Sequence, residues 1–145
     1  MAKTLLLEIV TPERQVLRQD VSSVTAPGVA GEFTILPQHI PFLTALRIGS
    51  LSYRVEGRVD YVFVSGGFVE VLPHRVLLLA EVAERPEEID IDRARQARER
   101  AALRLARAKQ EAVDYARALS ALERAVTRIK LHQLALGGIR TSGNQ

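Results

Sequence analysis

The chain contains no cysteine, which excludes disulfide bonds, thiolate metal sites and a cysteine nucleophile. It also lacks a long apolar run. The N-terminal run at residues 5–10 is interrupted by Glu8, and it falls far short of the roughly 20 apolar residues that a membrane-spanning helix needs. Because nothing in the composition argues for an oxidising compartment, we expect a soluble, cytoplasmic chain.

Proline is absent from the second half, and glycine is absent from residues 90–136. All six prolines and six of the nine glycines lie at or before Pro86 among β-branched and aromatic residues, whereas Ala, Arg, Leu and Gln dominate residues 90–136. We therefore predict two modules, at residues 1–86 and 87–136. A glycine-rich, polar tail at residues 137–145 is expected to be disordered.

Charge divides at the same place as composition. Residues 1–89 carry 8 Lys or Arg against 11 Asp or Glu, a balance of −3, whereas residues 90–145 carry 12 against 6, a balance of +6. The second half therefore favours an acidic partner. Of its basic residues ten are Arg and two are Lys, and the guanidinium group suits bidentate pairing with carboxylate or phosphate.

The first half has runs of strand length separated by turn residues. A hairpin is expected at Glu56-Gly57-Arg58 and another at Pro73-His74-Arg75. Short strands at this spacing predict a β-sandwich or flattened barrel. The clearest runs are residues 5–10, 33–36, 52–55, 59–64, 68–72 and 76–82.

The second half predicts two amphipathic helical segments, with Asp90 and Asp92 as capping carboxylates at the start. Residues 109–113 contain neither Gly nor Pro, so that a helical hairpin and one continuous rod both remain open. The first apolar stripe is Ala94, Ala97, Ala101, Leu105 and Ala108, and the second is Tyr115, Leu119, Leu122, Val126 and Ile129.

Arginines recur with the same helical period on both segments. They form either a solvated face or a binding surface for an acidic partner, and their spacing alone does not distinguish between these two roles. The first arginine stripe is Arg93, Arg100, Arg104 and Arg107, and the second is Arg117, Arg124 and Arg128.

The sequence offers few candidates for catalytic or metal-binding residues. His39, His74 and His132 lie far apart with no second ligand at metal spacing, and we assign no metal. Ser65-Gly66-Gly67 precedes a strand-like run, so its glycines indicate a bulge or tight turn instead of a phosphate loop. A nucleotide hydrolase would need a P-loop and magnesium ligands, which we do not find.

One alternative remains from composition, a basic helical module for protein or nucleic acid on a β scaffold. Tyr115 is the only aromatic residue after residue 89, which leaves little for base stacking and disfavours nucleic acid.

Three segments resemble one known family. Residues 31–46 read GEFTILPQHIPFLTAL, residues 65–71 read SGGFVEV and residues 89–94 read IDIDRA. They are similar, in this order, to the G-E-[LF]-x-I-L-P-x-H-x-P-L-L-T-x-L, S-G-G-F-x-E-V and [IL]-D-x-x-R-A segments of epsilon subunits of bacterial F-type ATP synthases. The resemblance covers about residues 4–135 and departs from the usual Leu-Gly at Phe33-Thr34.

The resemblance implies an α+β fold, with an antiparallel β-sandwich or flattened barrel followed by a C-terminal helical hairpin. It implies a non-catalytic rotor subunit, peripheral to the cytoplasmic face of the bacterial plasma membrane, that joins the gamma subunit to the c-ring. Glu32 and His39 would face the c-ring. The mobile helices would inhibit ATP hydrolysis by meeting acidic segments of the alpha and beta subunits through Arg117, Arg124 and Arg128.

Some bacterial members of that family also bind ATP in the folded hairpin. No cofactor is required, and ATP would be a regulatory ligand. Asp90 would accept a hydrogen bond from adenine, whereas a helix cap paired with Arg93 is the alternative role. The residues that match the nucleotide contacts are Glu84, Asp90, Arg93, Arg100, Arg124 and Arg128.

Overall fold

The computed structural model describes residues 3–108 and 112–142, in two compact units, Met1–Arg85 and Pro86–Gln145. The described part of the first unit consists of strands joined by short turns. They are β1 (Leu5–Val10), β2 (Gln15–Val21), β3 (Ser23–Gly28), β4 (Gly31–Ile35), β5 (Phe42–Ala45), β6 (Gly49–Val55), β7 (Arg58–Leu72) and β8 (Arg75–Glu84).

These strands form one hydrogen-bonded sheet in the order β2-β1-β8-β7-β6-β3-β4, with β5 also paired to β7. Neighbouring strands are antiparallel except β1 and β8, which are parallel. The predicted β-sandwich is confirmed, because the sheet closes over an apolar interior.

Strand β7 holds the sheet together. Along one edge it pairs with β6 from Arg58 to Val64 and then with β5 from Phe68 to Val71. Along its other edge it pairs with β8 from Phe63 to Leu72. One strand therefore belongs to both layers of the sandwich.

A pair of glycines lies where β7 changes partners. The sequence predicted a bulge or tight turn here, between strands at residues 59–64 and 68–72, but β7 continues through Ser65-Gly66-Gly67. Gly66 and Gly67 have φ of 71° and 109°, and the register with β8 is the same before and after them. The glycines kink the strand without reversing it, since positive φ is open to glycine at no steric cost.

The two predicted hairpins are confirmed. Glu56 (φ 51°) and Gly57 (φ 79°) are the two loop residues between β6 and β7. Positive φ at both positions is the geometry that matches the twist of paired strands. Pro73 and His74 connect β7 to β8.

The core comes from the period-two alternation of the strands. Leu5, Leu7 and Ile9 of β1 are buried, while the residues between them are half-buried. Val69 and Val71 of β7 point into the same apolar cluster. Each large apolar side chain fully removed from water contributes about 1.5–3 kcal/mol, so the first unit has a core of its own.

The second unit begins with a 3₁₀ turn at Pro86–Glu88 and continues with α1 (Ile91–Arg107) and α2 (Ala112–Ser142). The backbone N–H of Ala108 donates to the carbonyl oxygen of Arg104 and closes the end of α1. Because α1 and α2 are separate and contact each other, the hairpin is confirmed and the continuous rod is wrong. Residues 109–111 lie outside the described part.

The alanine stripe of α1 is confirmed as its packed face. Ala94 and Ala101 are buried, and Ala97, Leu105 and Ala108 are half-buried. Alanine permits close approach of two helices but removes little apolar area from water. The cohesion of the hairpin is therefore modest.

The apolar stripe predicted for α2 is only partly correct. Tyr115 and Val126 are each 46% exposed, whereas Ala118, Ala125 and Ile129 are buried. At 100° per residue these three residues lie on a face rotated by about 60° from the predicted stripe. Leu131, which is also fully buried, lies away from both faces. Among the described residues, α2 therefore buries two alanines and two large apolar side chains instead of the single predicted stripe.

The C-terminal tail also differs from expectation at residues 137–142. The structure continues α2 through Gly137 to Ser142. Glycine costs roughly 1 kcal/mol relative to alanine within a helix, but unlike proline it does not remove a backbone donor. Residues 143–145 of the predicted tail lie outside the described part.

Gly67→Ala should destabilise the first unit by about 2–4 kcal/mol, because a Cβ there would overlap the carbonyl oxygen of Leu79 and lie 2.8 Å from Cα of Ala80. Urea unfolding of the full chain measures this loss. The control is Gly57→Asn, where φ is also positive but no atom lies within 4 Å of the added Cβ, and where asparagine tolerates the conformation. Equal losses in the two variants would contradict a steric role for Gly67.

Candidate functional surfaces

The start of α1 is fixed by Asp90. Its backbone is extended (φ −82°, ψ 99°), and its side-chain Oδ1 accepts a hydrogen bond of 3.1 Å from the backbone N–H of Arg93. The carbonyl of Asp90 accepts from Ala94 N–H at 3.0 Å. Asp90 is therefore a helix N-cap. One carboxylate oxygen already has a donor, which leaves the rest of the carboxylate exposed for a ligand.

The predicted nucleotide residues are distributed along the hairpin. Arg93 and Arg100 are exposed on α1, and Arg124 and Arg128 are half-buried on α2. Arg93 has no side-chain partner among the described residues. Glu84 is half-buried at the end of β8, in the first unit.

Two adjacent clefts lie between the helices, of about 430 Å³ and 410 Å³. Of the predicted nucleotide set, only Arg124 lines either of them. The larger is lined by Arg104, Ala116, Arg117, Ser120, Ala121 and Arg124, and the smaller by Arg104, Arg107, Ala108, Asp114, Arg117 and Ala118.

The clefts show that the arginine stripes of the two helices meet. Arg104 and Arg107 belong to the stripe of α1, and Arg117 and Arg124 to that of α2. The sequence placed Arg104 and Arg107 on a stripe but not in a site, because periodicity assigns a residue to a face without stating which face of the other helix it meets.

One of the predicted c-ring contacts lies in β4, and the other lies in the loop that follows it. Glu32 is exposed at the start of this strand, and His39 is half-buried in the loop after it. The His39 ring lies 5.2 Å from that of Phe42, and Nδ1 lies 2.8 Å from the carbonyl oxygen of Ile40. Those contacts fix the ring beside Ile40, whose side chain is 79% exposed.

The loop at residues 36–41 is attached to the rest of the first unit. The backbone N–H of Gln38, which has φ of 68°, donates to the carbonyl oxygen of Pro73 at 2.6 Å. The loop therefore lies beside the β7–β8 turn. Its exposed apolar side chains, Leu36 and Ile40, are held in place by a structured backbone.

An apolar sheet face was not foreseen from the sequence. Phe68 and Leu79 are cross-strand partners on β7 and β8, and they are 55% and 54% exposed. Leu43 of β5 is 67% exposed beside Glu70. The alternation along each strand indicates which side chains face outward. Only the pairing of β5, β7 and β8 shows that these three outward side chains are neighbours. We call Leu43, Phe68 and Leu79 the sheet face.

Within residues 3–108 and 112–142, no three His, Cys, Asp or Glu side chains are grouped as metal ligands would be. Neither α1 nor the described part of α2 combines the length and apolar character needed to span a bilayer.

Two family models match consecutive parts of the chain. Residues 4–86 match "ATP synthase, Delta/Epsilon chain, beta-sandwich domain". Residues 87–133 match "ATP synthase, Delta/Epsilon chain, long alpha-helix domain". The boundary between the two matches lies one residue from the boundary between the compact units.

Relatives that match most of the chain are named "ATP synthase epsilon chain". The chain is 58% identical over 131 residues to the "ATP synthase epsilon chain" of Nitratidesulfovibrio vulgaris strain DP4, covering 90% of this chain and 97% of the relative. It is 50% identical, with the same two coverages, to the "ATP synthase epsilon chain" of Syntrophobacter fumaroxidans.

A solved structure shares the fold. A chain in a cryo-EM structure of Euglena gracilis mitochondrial ATP synthase, described as OSCP/F1/c-ring, superposes with a TM-score of 0.75 at 24% identity. The match covers 92% of this chain and 81% of that chain. At this identity the likeness shows the fold alone.

Proposed function

The chain belongs to the delta/epsilon family of ATP synthase subunits and is an epsilon subunit, and from this premise we propose that it is a non-catalytic part of the central stalk of a proton-translocating F-type enzyme. In this role it joins the gamma subunit to the c-ring, peripheral to the cytoplasmic face of the bacterial plasma membrane. The observation that carries the proposal is the sheet face, an apolar surface on a unit with its own core.

The sheet face supports docking on the gamma subunit. Leu43, Phe68 and Leu79 expose large side chains next to one another on three paired strands. Contiguous exposed apolar surface on a folded domain marks an interaction site more often than scattered apolar residues do. A rigid sheet also loses little conformational entropy on docking.

The loop at residues 36–41 and the exposed start of β4 support docking on the c-ring. Ile40 offers an apolar side chain on an anchored loop, and Glu32 offers a carboxylate with no ion-pair partner among the described residues. An exposed ion pair with a basic ring residue contributes about 1 kcal/mol or less and weakens with salt.

The helical unit supports regulation of ATP hydrolysis. Alanine-rich packing between α1 and α2 gives modest cohesion, so opening of the hairpin costs less than it would for a large apolar interface. Once open, the helices would present Arg117, Arg124 and Arg128 to acidic segments of the alpha and beta subunits. Charge complementarity of this kind fixes how the two surfaces align and makes their association faster.

ATP is proposed as a regulatory ligand of the closed hairpin, held by Glu84, Asp90, Arg93, Arg100, Arg124 and Arg128. The exposure of Arg93 and of Asp90, whose Oδ1 accepts a hydrogen bond from the backbone N–H of Arg93, supports it. A ligand that binds only the closed form stabilises that form by its differential affinity, about 2.7 kcal/mol at one hundred times the dissociation constant. High ATP would therefore release inhibition.

Phe68→Asp/Leu79→Asp should abolish co-purification with the gamma subunit, because two carboxylates would have to be desolvated in an apolar interface. Both positions are more than half exposed, so the fold should persist. Val29→Asp is the control, since Val29 is 61% exposed in the β3–β4 turn, off the sheet face. Retained binding by the folded double variant would remove the sheet face from the interface.

Arg117→Glu/Arg124→Glu/Arg128→Glu should relieve inhibition of ATP hydrolysis in the reconstituted complex, to the level found with a chain truncated after Arg85. Reversed charge repels acidic segments of the catalytic subunits. Arg95→Glu/Arg98→Glu/Lys130→Glu changes the net charge equally at exposed positions outside the second arginine stripe. The stripe has no specific role if the two triple variants relieve inhibition to the same extent.

Asp90→Asn should preserve the helix and weaken ATP binding at least about tenfold, because asparagine caps as well as aspartate but presents an amide to the ligand. Isothermal titration of the full chain measures affinity, and helical unfolding followed by circular dichroism measures the cap. Asp92→Asn, an exposed position in the first turn, is the control. The absence of binding heat at millimolar ATP in the unsubstituted chain would leave Asp90 as a cap alone.

A further inference from the structure

A charged side chain lies within the apolar outer surface of β5, β7 and β8. Glu70 is exposed on β7, the middle strand of these three. Its cross-strand partners are Leu43 on β5 and Leu77 on β8. Side chains two positions apart on a strand point to the same face, so Phe68 and Leu72 flank Glu70 along β7. Four apolar side chains therefore surround one carboxylate.

A partner that docks on the sheet face would also cover Glu70. Leu43 and Phe68 are more than half exposed, and Leu72 is 38% exposed. Opposed Cβ atoms of paired strands lie about 4.5–5.5 Å apart, so a surface seated on Leu43 and Phe68 reaches over the side chain between them. Docking therefore removes the Glu70 carboxylate from water.

The chain itself does not compensate the charge of Glu70. Within residues 3–108 and 112–142 this carboxylate forms neither an ion pair nor a side-chain hydrogen bond. Arg75 lies on the same face of β8, two residues before Leu77, but its Nε pairs with Glu8 of β1 at 3.3 Å. The other glutamate of this surface is thus already paired, and Glu70 depends on a partner for a cation.

The cost of covering a carboxylate indicates what the partner must offer. Removal of an ionised carboxylate from water without a partner is strongly unfavourable. A guanidinium group compensates this cost with paired hydrogen bonds in a fixed geometry. Apolar neighbours that exclude water strengthen such a pair, because attraction between charges rises as the dielectric constant falls. The surface that binds here must therefore bring a basic group to Glu70.

We propose that Glu70 determines the specificity of the sheet face, and that the docked surface of the gamma subunit carries an arginine at its centre within an apolar surround. This inference rests on the proposed docking of the gamma subunit on the sheet face. An apolar surface without the arginine would leave the carboxylate buried and unpaired. The same side chain that binds the correct partner therefore rejects other apolar surfaces.

The kinetics of binding between the full chain and the purified gamma subunit test the proposal. Glu70→Gln should raise the dissociation constant at least about thirtyfold, mainly through faster dissociation, because it leaves the buried arginine of the partner without a carboxylate. Glu70→Asp keeps the charge but withdraws it by one methylene group, so it should weaken binding less than Glu70→Gln does. Urea unfolding should be the same for both variants and the unsubstituted chain, since the Glu70 side chain is exposed and has no partner within the described residues.

Glu81→Gln is the matched control. Glu81 is also an exposed glutamate on β8, but its carboxylate lies against Gly66 instead of within a ring of large apolar side chains. A charge at the rim of an interface acts mainly on the association rate, so this variant should change the dissociation rate by less than about threefold. Because a buried pair is screened little by salt, the effect of Glu70→Gln should persist in about 0.5 M salt.

Three outcomes would contradict the proposal. Unchanged or tighter binding of Glu70→Gln would mean that the gamma subunit brings no basic group to this position, while loss of binding by Phe68→Asp/Leu79→Asp would still support docking on the sheet face. Equally fast dissociation of Glu70→Gln and Glu81→Gln would mean attraction by net charge only. Normal binding by Phe68→Asp/Leu79→Asp would place the interface elsewhere and remove the proposed docking together with this inference.

Discussion

The continuous backbone pairing of β7 is the constraint on which the first unit depends. This strand contacts β8 along one edge and passes from β6 to β5 along the other. At this change of partner β7 must bend while its pairing with β8 continues. Gly66 and Gly67 allow the bend because both have positive φ. Because the same strand supplies Phe68 to the outside and Val69 to the core, the geometry that closes the sandwich also positions the apolar sheet face.

The second unit follows a different physical rule. Among the described residues, its helices bury four alanines and two large apolar side chains, Ile129 and Leu131, so their association gains less from apolar burial than the core of the first unit does. Arginines of both helices line the two clefts between α1 and α2, and like charges so placed oppose the association of the helices. In the proposed role, an acidic surface of a partner subunit would shift the hairpin from a closed to an open form.

The two units thus differ in what stabilises them. The first has an apolar core of its own and exposes the sheet face. The second has few large buried side chains and carries most of the positive charge. In the proposed role, the first unit supplies attachment, while the second responds to the charge and the nucleotide around it.

The two units, most strands, both hairpins and the capping of α1 by Asp90 could be predicted from the amino-acid sequence, because these features depend on local turn chemistry and on periodicity. Three motifs in order also indicated the family. The choice between hairpin and rod needed the folded structure, since residues 109–113 favour neither. The pairing of α1 with α2 likewise decided that Ala118 and Ala125 are buried while Tyr115 and Val126 are exposed, because periodicity assigns a residue to a face of a helix without stating what that face meets. Cross-strand register and helix pairing, which join residues far apart in sequence, created the sheet face and the two clefts between α1 and α2.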